Sequence, residues 1–237
     1  MKLSVMSVRP LLRTFSKASE HRIDMVNSAL SPKTVLSENN RKKCIEKFKS
    51  YQIPLINKNV PEAAVLVPLC LYKGELGFLY TLRSMKLTNN GGEETALRET
   101  WEELKIPKEK IDVWTTGTLI NKGDVNVMPV LGYIGEIVPE ELEINPDEVE
   151  EAFVVSLQKL CDPELFRFTR FSNFNLPSYL GGKHRVWGFT GFITHLALSS
   201  LIPEVYMNKI PRTKSLQIKD HNVPKEVKSN LDKQSKL

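Results

Sequence analysis

The chain has 237 residues, 41% hydrophobic and 26% charged, a composition that suits one sizeable folded core with terminal extensions. Its net charge of +5 sits largely in the first twenty and last thirty residues, so nucleic acid is not the expected partner, and a polyanionic small ligand fits equally well. The three cysteines, Cys44, Cys70 and Cys161, are far apart and form no Cys-x-x-Cys pair, which argues against a disulfide framework or a structural zinc site, so a reducing compartment is expected.

From Met1 to Ala18 there is no acidic residue, and Lys2, Arg9, Arg13 and Lys17 alternate with apolar side chains. That pattern is expected of a mitochondrial targeting peptide over residues 1–20. Ser37 and the residues after it supply capping groups for a helix carrying Cys44, Ile45, Phe48 and Tyr51 at helical spacing. Ala63–Leu71 and Leu76–Leu82, joined by Lys73-Gly74, predict a β-hairpin.

After the turn Asn89-Asn90-Gly91-Gly92, a helix is expected from Glu93, where acidic residues favour a helix start, to Leu104, with Pro107 beyond its end. Leu97, Thr100, Trp101 and Leu104 recur at three- and four-residue spacing and are expected to pack inward. Arg98, Glu99, Glu102 and Glu103 are expected to face outward or sideways. Strands follow at Val113–Ile120 and Val127–Ile134, joined by a turn over Asn121–Asp124, with a shorter one around Val154–Leu157. Phe166–Phe174 reads as a half-buried strand or loop, and Trp187–Leu201 as a last long helix. The apolar stretch from Val186 to Pro203 is broken by Thr190, Thr194, His195, Ser199 and Ser200, so it is expected to be a helix of the folded core and no transmembrane segment is expected. Strands before and after a central helix predict an α/β sandwich with a mixed sheet between helices. Residues 208–237 are Lys-rich and aromatic-free, read as a disordered basic tail, and finish in Ser235-Lys236-Leu237, the peroxisomal import tripeptide. The mitochondrion is the expected location and the peroxisome the alternative.

Glu99, Glu102 and Glu103 stand at i, i+3 and i+4, on one side of the predicted helix. Three carboxylates so placed repel one another unless a cation neutralises them. Mg²⁺ or Mn²⁺ suits this arrangement, because a hard cation takes carboxylate oxygens and keeps positions open for water and phosphate oxygens. Arg98 could orient Glu99 or a neighbour through a paired hydrogen bond. Arg-Glu-x-x-Glu-Glu alone is common on solvated helix faces; a preceding strand and glycine turn, with an apolar opposite face, favour a site.

The run Thr95-Ala96-Leu97-Arg98-Glu99-Thr100-Trp101-Glu102-Glu103-Leu104 resembles the second half of the Nudix box, Gly-x5-Glu-x7-Arg-Glu-U-x-Glu-Glu-x-Gly-U with U aliphatic. Leu79–Ser84 and Arg185–Thr190 resemble segments of that family's coenzyme A diphosphatase branch, and the similarity spans about residues 35–203. The resemblance implies a Nudix fold, an α/β/α sandwich over that domain. It also implies hydrolysis of coenzyme A, acyl-coenzyme A or a related nucleoside diphosphate derivative at the pyrophosphate, dependent on Mg²⁺ or Mn²⁺. The products would be 3′,5′-ADP and an (acyl-)4′-phosphopantetheine. Carried onto this chain, Glu102 and Glu103 are metal ligands, Glu99 is a metal ligand or the base for the attacking water, and Arg98 orients the carboxylates.

The first half of the box is missing. Asn90 and Ser84, or Asn89 and Arg83 with one extra residue, stand where the family has Glu and Gly, and no Ser-Phe-Pro-Gly-Gly loop leads into the helix. Lys105 replaces the glycine after the glutamates. Such a gap is expected of a splice form or an incomplete gene model. It leaves a second reading open, a catalytically impaired Nudix-fold isoform that binds a nucleotide or a protein partner. Outside the box, Glu148 reads as part of a solvated acidic loop, His184 as a possible phosphate contact, His195 as a core or helix-face residue, and Trp101 and Trp187 as core anchors.

Overall fold

A computed structural model describes residues 24–55, 57–83, 92–170 and 174–211. The targeting-peptide pattern, the turn through Gly91, the missing half of the box and the Ser235–Leu237 tripeptide lie outside the described residues. In chain order the elements are α1 (Pro32–Val35), α2 (Glu38–Lys49), β1 (Glu62–Tyr72), β2 (Glu75–Arg83), α3 (Glu93–Leu104), β3 (Asp112–Thr116), β4 (Ile120–Lys122) and β5 (Val125–Glu136). There follow β6 (Val149–Ser156), α4 (Leu157–Cys161), β7 (Phe166–Arg170), β8 (Asn175–Tyr179), β9 (Val186–Trp187) and α5 (Gly188–Leu201).

The main sheet runs β3-β5-β1-β2-β6, with β4 paired to β5. It is mixed: β1 and β5 are parallel from Glu62↔Asn126 to Leu69↔Tyr133, while the remaining pairs are antiparallel. The β1–β2 hairpin turns through Lys73 and Gly74, both at positive φ (51° and 80°), as the twist of a two-residue hairpin turn demands. Alternation along the strands divides the core between the two faces. Val67, Leu69, Phe78, Tyr80, Phe153 and Val155 pack with Phe48 of α2 and Leu198 of α5. Cys70, Leu79, Ile134 and Val149 pack on the other side with Leu104 of α3. Helices therefore cover both faces of one sheet, as the α/β/α reading requires. Each fully buried side chain of this kind contributes about 1.5–3 kcal/mol.

Three differences from the sequence reading have local causes. The strand expected over Val113–Ile120 breaks after Thr116, where Gly117 crosses Phe48 so closely that a Cβ would lie 2.8 Å from the ring. Strand β6 begins at Val149 and takes in two acidic residues, Glu150, which this edge strand leaves in water, and the half-buried Glu151. Ser156 then caps α4 through Lys159 N, so Leu157 starts a helix instead of ending the strand. The Phe166 segment joins a separate three-stranded sheet, β7-β8-β9. No helix is long and apolar enough to cross a membrane among the described residues.

Candidate functional site

The hairpin opens as it leaves its turn. β1 and β2 pair only from Leu69↔Phe78 to Tyr72↔Glu75. Beyond Leu69 the earlier residues of β1 stay with β5, while the later residues of β2 stay with β6. A cleft of about 240 Å³ lies where the strands part, walled by Ala63–Pro68, Phe78–Thr81, one side of α3 and the first turns of α5.

Helix α3 positions the acidic side of this cleft. It begins after Gly92, whose φ of 114° suits the entry turn, and carries Glu93 and Glu94 in its first turn, where they oppose the helix dipole favourably. It ends with Lys105 left-handed at φ 53°, donating its N–H to the Trp101 carbonyl. The cap geometry of a glycine is thus retained with a lysine in its place.

Between these ends, Glu99 and Glu103, one turn apart, both reach the cleft together with Thr100. The Glu99 side chain is 16% exposed and Glu103 is 9% exposed. Glu102 is directed elsewhere: both its carboxylate oxygens accept from Arg98 Nη1, at 2.7 and 2.8 Å, while Arg98 Nη2 donates to Glu99 Oε1 at 2.6 Å. Arg98 therefore bridges two of the three carboxylates named from the sequence. Among the described residues no three His, Cys, Asp or Glu side chains stand together in a way that could hold a metal ion.

The helix is rotated relative to the sequence reading. Its buried positions are Ala96, Thr100, Glu103 and Leu104, so Glu103 faces inward, and Trp101, expected inside, is 47% exposed with Lys105 Nζ 5.6 Å from its ring centroid. The cleft supplies the reason. An inward carboxylate is tolerable where the interior is partly polar, and Glu103 takes the position a core residue would otherwise fill. Trp187, the other expected anchor, is 53% exposed beneath Arg185, whose guanidinium lies 5.0 Å from its ring centroid.

His184 does not line the cleft. Its Nε2 lies 2.8 Å from Glu151 Oε2, and Lys183 binds the other oxygen of the same carboxylate, so that Lys183 first and His184 second hold Glu151 below the usual carboxylate range. His195 is half-buried, its Nδ1 2.8 Å from the Tyr206 hydroxyl, and desolvation lowers its pKa to about 4. Glu148 likewise is not part of the cleft wall.

The sequence reading missed Tyr80, Lys122 and Thr194 as cleft residues. Tyr80 and Thr194 tie the β2 wall to α5 through a 3.1 Å hydroxyl contact. Lys122 and Phe189 approach from opposite parts of the chain, with the ammonium 5.5 Å from the ring centroid. Phe189 lay within the Arg185–Thr190 resemblance; nothing in the sequence marked Lys122.

Comparison with known proteins places this geometry in context. No family model matches the chain. The human "Mitochondrial coenzyme A diphosphatase NUDT8" is 37% identical over 171 residues, covering 62% of this chain and 72% of that protein. "Nudix hydrolase 3" of Caenorhabditis elegans is 32% identical over 182 residues, covering 62% and 76%. Among solved structures, a C. elegans Ap4A hydrolase binary complex aligns at 20% identity over 43% of this chain and 83% of that one, with a TM-score of 0.34.

Proposed function

The chain belongs to the Nudix hydrolase family, and we propose that it hydrolyses the pyrophosphate of coenzyme A or acyl-coenzyme A to 3′,5′-ADP and the corresponding 4′-phosphopantetheine. The observation that carries this reading is the pair Glu99 and Glu103, one helical turn apart on the wall of the cleft where β1 and β2 separate. The name of the human relative, a coenzyme A diphosphatase, supports the choice of substrate.

Two carboxylates on one wall fit Mg²⁺ or Mn²⁺, since such ions are commonly held by one or two carboxylates plus water and substrate phosphate oxygens. Glu99 and Glu103 would hold it, and Glu102 would join only by leaving Arg98. Bound there, the ion would supply charge neutralisation for the pyrophosphate and a lowered pKa for water. The chain's own residues do the positioning. Arg98 fixes the rotamer of Glu99 so that one oxygen is engaged while the carboxylate still borders the cleft, where it can accept a proton from an attacking water. The apolar walls from β1 and β2 limit water around the scissile bond.

Purified protein incubated with coenzyme A and Mg²⁺ or Mn²⁺ should release 3′,5′-ADP in a metal-dependent manner, and Glu103→Gln should abolish most of it. Release no greater than from Glu103→Gln with either metal overturns the proposal. The second reading, a binding protein without turnover, draws on the residues preceding the helix, where neither the Gly nor the Glu of the box's first half is present. Saturable coenzyme A binding without 3′,5′-ADP release would establish it. For location, the acid-free, basic residues 1–18 favour mitochondrial import over the peroxisomal tripeptide. Loss of mitochondrial signal on deleting residues 1–20 of an internally tagged chain tests that assignment; retention would refute it.

A further inference from the structure

Among the described residues, the side chains lining the cleft that carry formal charge at neutral pH are Glu99, Glu103 and Lys122. The two acids come from α3, and the lysine from the β4–β5 hairpin. A metal-bound pyrophosphate accounts for the acids, while the lysine reaches the cleft from a separate element, beside an aromatic ring.

The backbone that carries Lys122 is well held. The hairpin closes through Gly123 at φ 66°, Asn121 Nδ2 donates to Gly123 O and Asn126 Oδ1, both at 3.1 Å, and the buried Asn126 is anchored to Asn57 O at 3.0 Å. Its ammonium lies over the half-buried ring of Phe189, which itself borders the cleft. A backbone held in place, an exposed cation and an aromatic face together match a nucleotide that carries a phosphate apart from its pyrophosphate: the nucleobase stacks on the ring and the ammonium takes the extra phosphate.

We propose that Lys122 and Phe189 form the nucleotide subsite of this cleft, Phe189 stacking on the adenine and Lys122 binding the 3′-phosphate that distinguishes coenzyme A from dephospho-coenzyme A. The assignment rests on the reading of the cleft as a coenzyme A diphosphatase site. It makes Lys122 a specificity-determining residue and gives it no part in bond cleavage.

The test compares kcat/KM for coenzyme A and dephospho-coenzyme A in the wild type, Lys122→Gln, Lys122→Arg and Phe189→Leu, beside calorimetric titration of each protein with 3′,5′-ADP and 5′-AMP. A charge-assisted contact predicts a wild-type preference for the 3′-phosphorylated substrate of about tenfold. Lys122→Gln should erase this preference and Lys122→Arg restore it. Phe189→Leu should weaken both substrates alike, by about fivefold or more, because stacking is common to them. A wild type that does not discriminate, or a Lys122→Gln protein that still does, overturns the inference. If neither substrate is cleaved, the diphosphatase reading fails by itself, and the titrations decide the subsite: tighter 3′,5′-ADP than 5′-AMP binding, lost in Lys122→Gln, supports it, and equal or absent binding overturns it.

Discussion

Arg98 and Glu102 form a closed pair on the outer side of α3: both carboxylate oxygens of Glu102 lie within 2.8 Å of the same guanidinium nitrogen. The adjacent nitrogen holds Glu99 at 2.6 Å. Glu99 and Glu103 border the cleft and Glu102 does not, so Arg98 ties one cleft glutamate to the one that stands outside it.

This arrangement predicts unequal contributions to metal affinity. Glu99→Gln and Glu103→Gln should each weaken Mn²⁺ binding by about 100-fold, while Glu102→Gln, acting through Arg98, should cost closer to tenfold. Titration of the free Mn²⁺ resonance by electron paramagnetic resonance reads this without turnover. Equal losses at all three positions would show that Glu102 leaves Arg98 to become a full ligand.

Lys105 holds a left-handed cap with a β-carbon where glycine would be unstrained. Lys105→Gly should raise stability by about 0.5–1 kcal/mol, the relief of left-handed strain outweighing the exposed contact with Trp101. The midpoint of urea denaturation should move upward with unchanged slope.

Burial lowers the pKa of His195 from 6.5 to about 4. Between those values the unfolded chain binds a proton that the folded chain does not, so stability falls as pH drops through that window. At pH 5 the loss relative to pH 7 is about 2 kcal/mol from this group. His195→Gln should remove that part of the pH dependence, measured as the difference in denaturation midpoints of the two proteins at pH 7 and pH 5.

Gly191 lets α5 rest directly on β8. A Cβ there would lie 2.5 Å from the Pro177 carbonyl oxygen, a backbone atom that cannot move alone. Gly191→Ala should destabilise the protein by about 1–3 kcal/mol despite alanine's better helix propensity. A thermal midpoint lowered by several degrees would confirm the contact, and an unchanged one would contradict it.

Much of the local architecture was legible in the residues. Ser37 marked the start of α2, Lys73-Gly74 the hairpin turn, and Glu93 and Leu104 the two ends of α3. These features depend on capping, turn chemistry and periodicity, which act over a few residues. The β7-β8-β9 sheet was not legible beyond β7, because Asn175–Tyr179 includes Pro177 and has little strand alternation. Tyr80 and Thr194, 114 positions apart, meet only when the sheet and α5 are both in place.

The sequence alone determined that three glutamates and an arginine share one helix, since their spacing and the helix bounds are local properties of that segment. Tertiary structure decided which glutamates face the cleft, because an apolar stripe interrupted by Thr100 leaves the helix free to turn by tens of degrees until packing against the sheet fixes it. It also brought Lys122 beside Phe189, a pairing that depends on β4 and α5 meeting across the fold and that no spacing along the chain encodes.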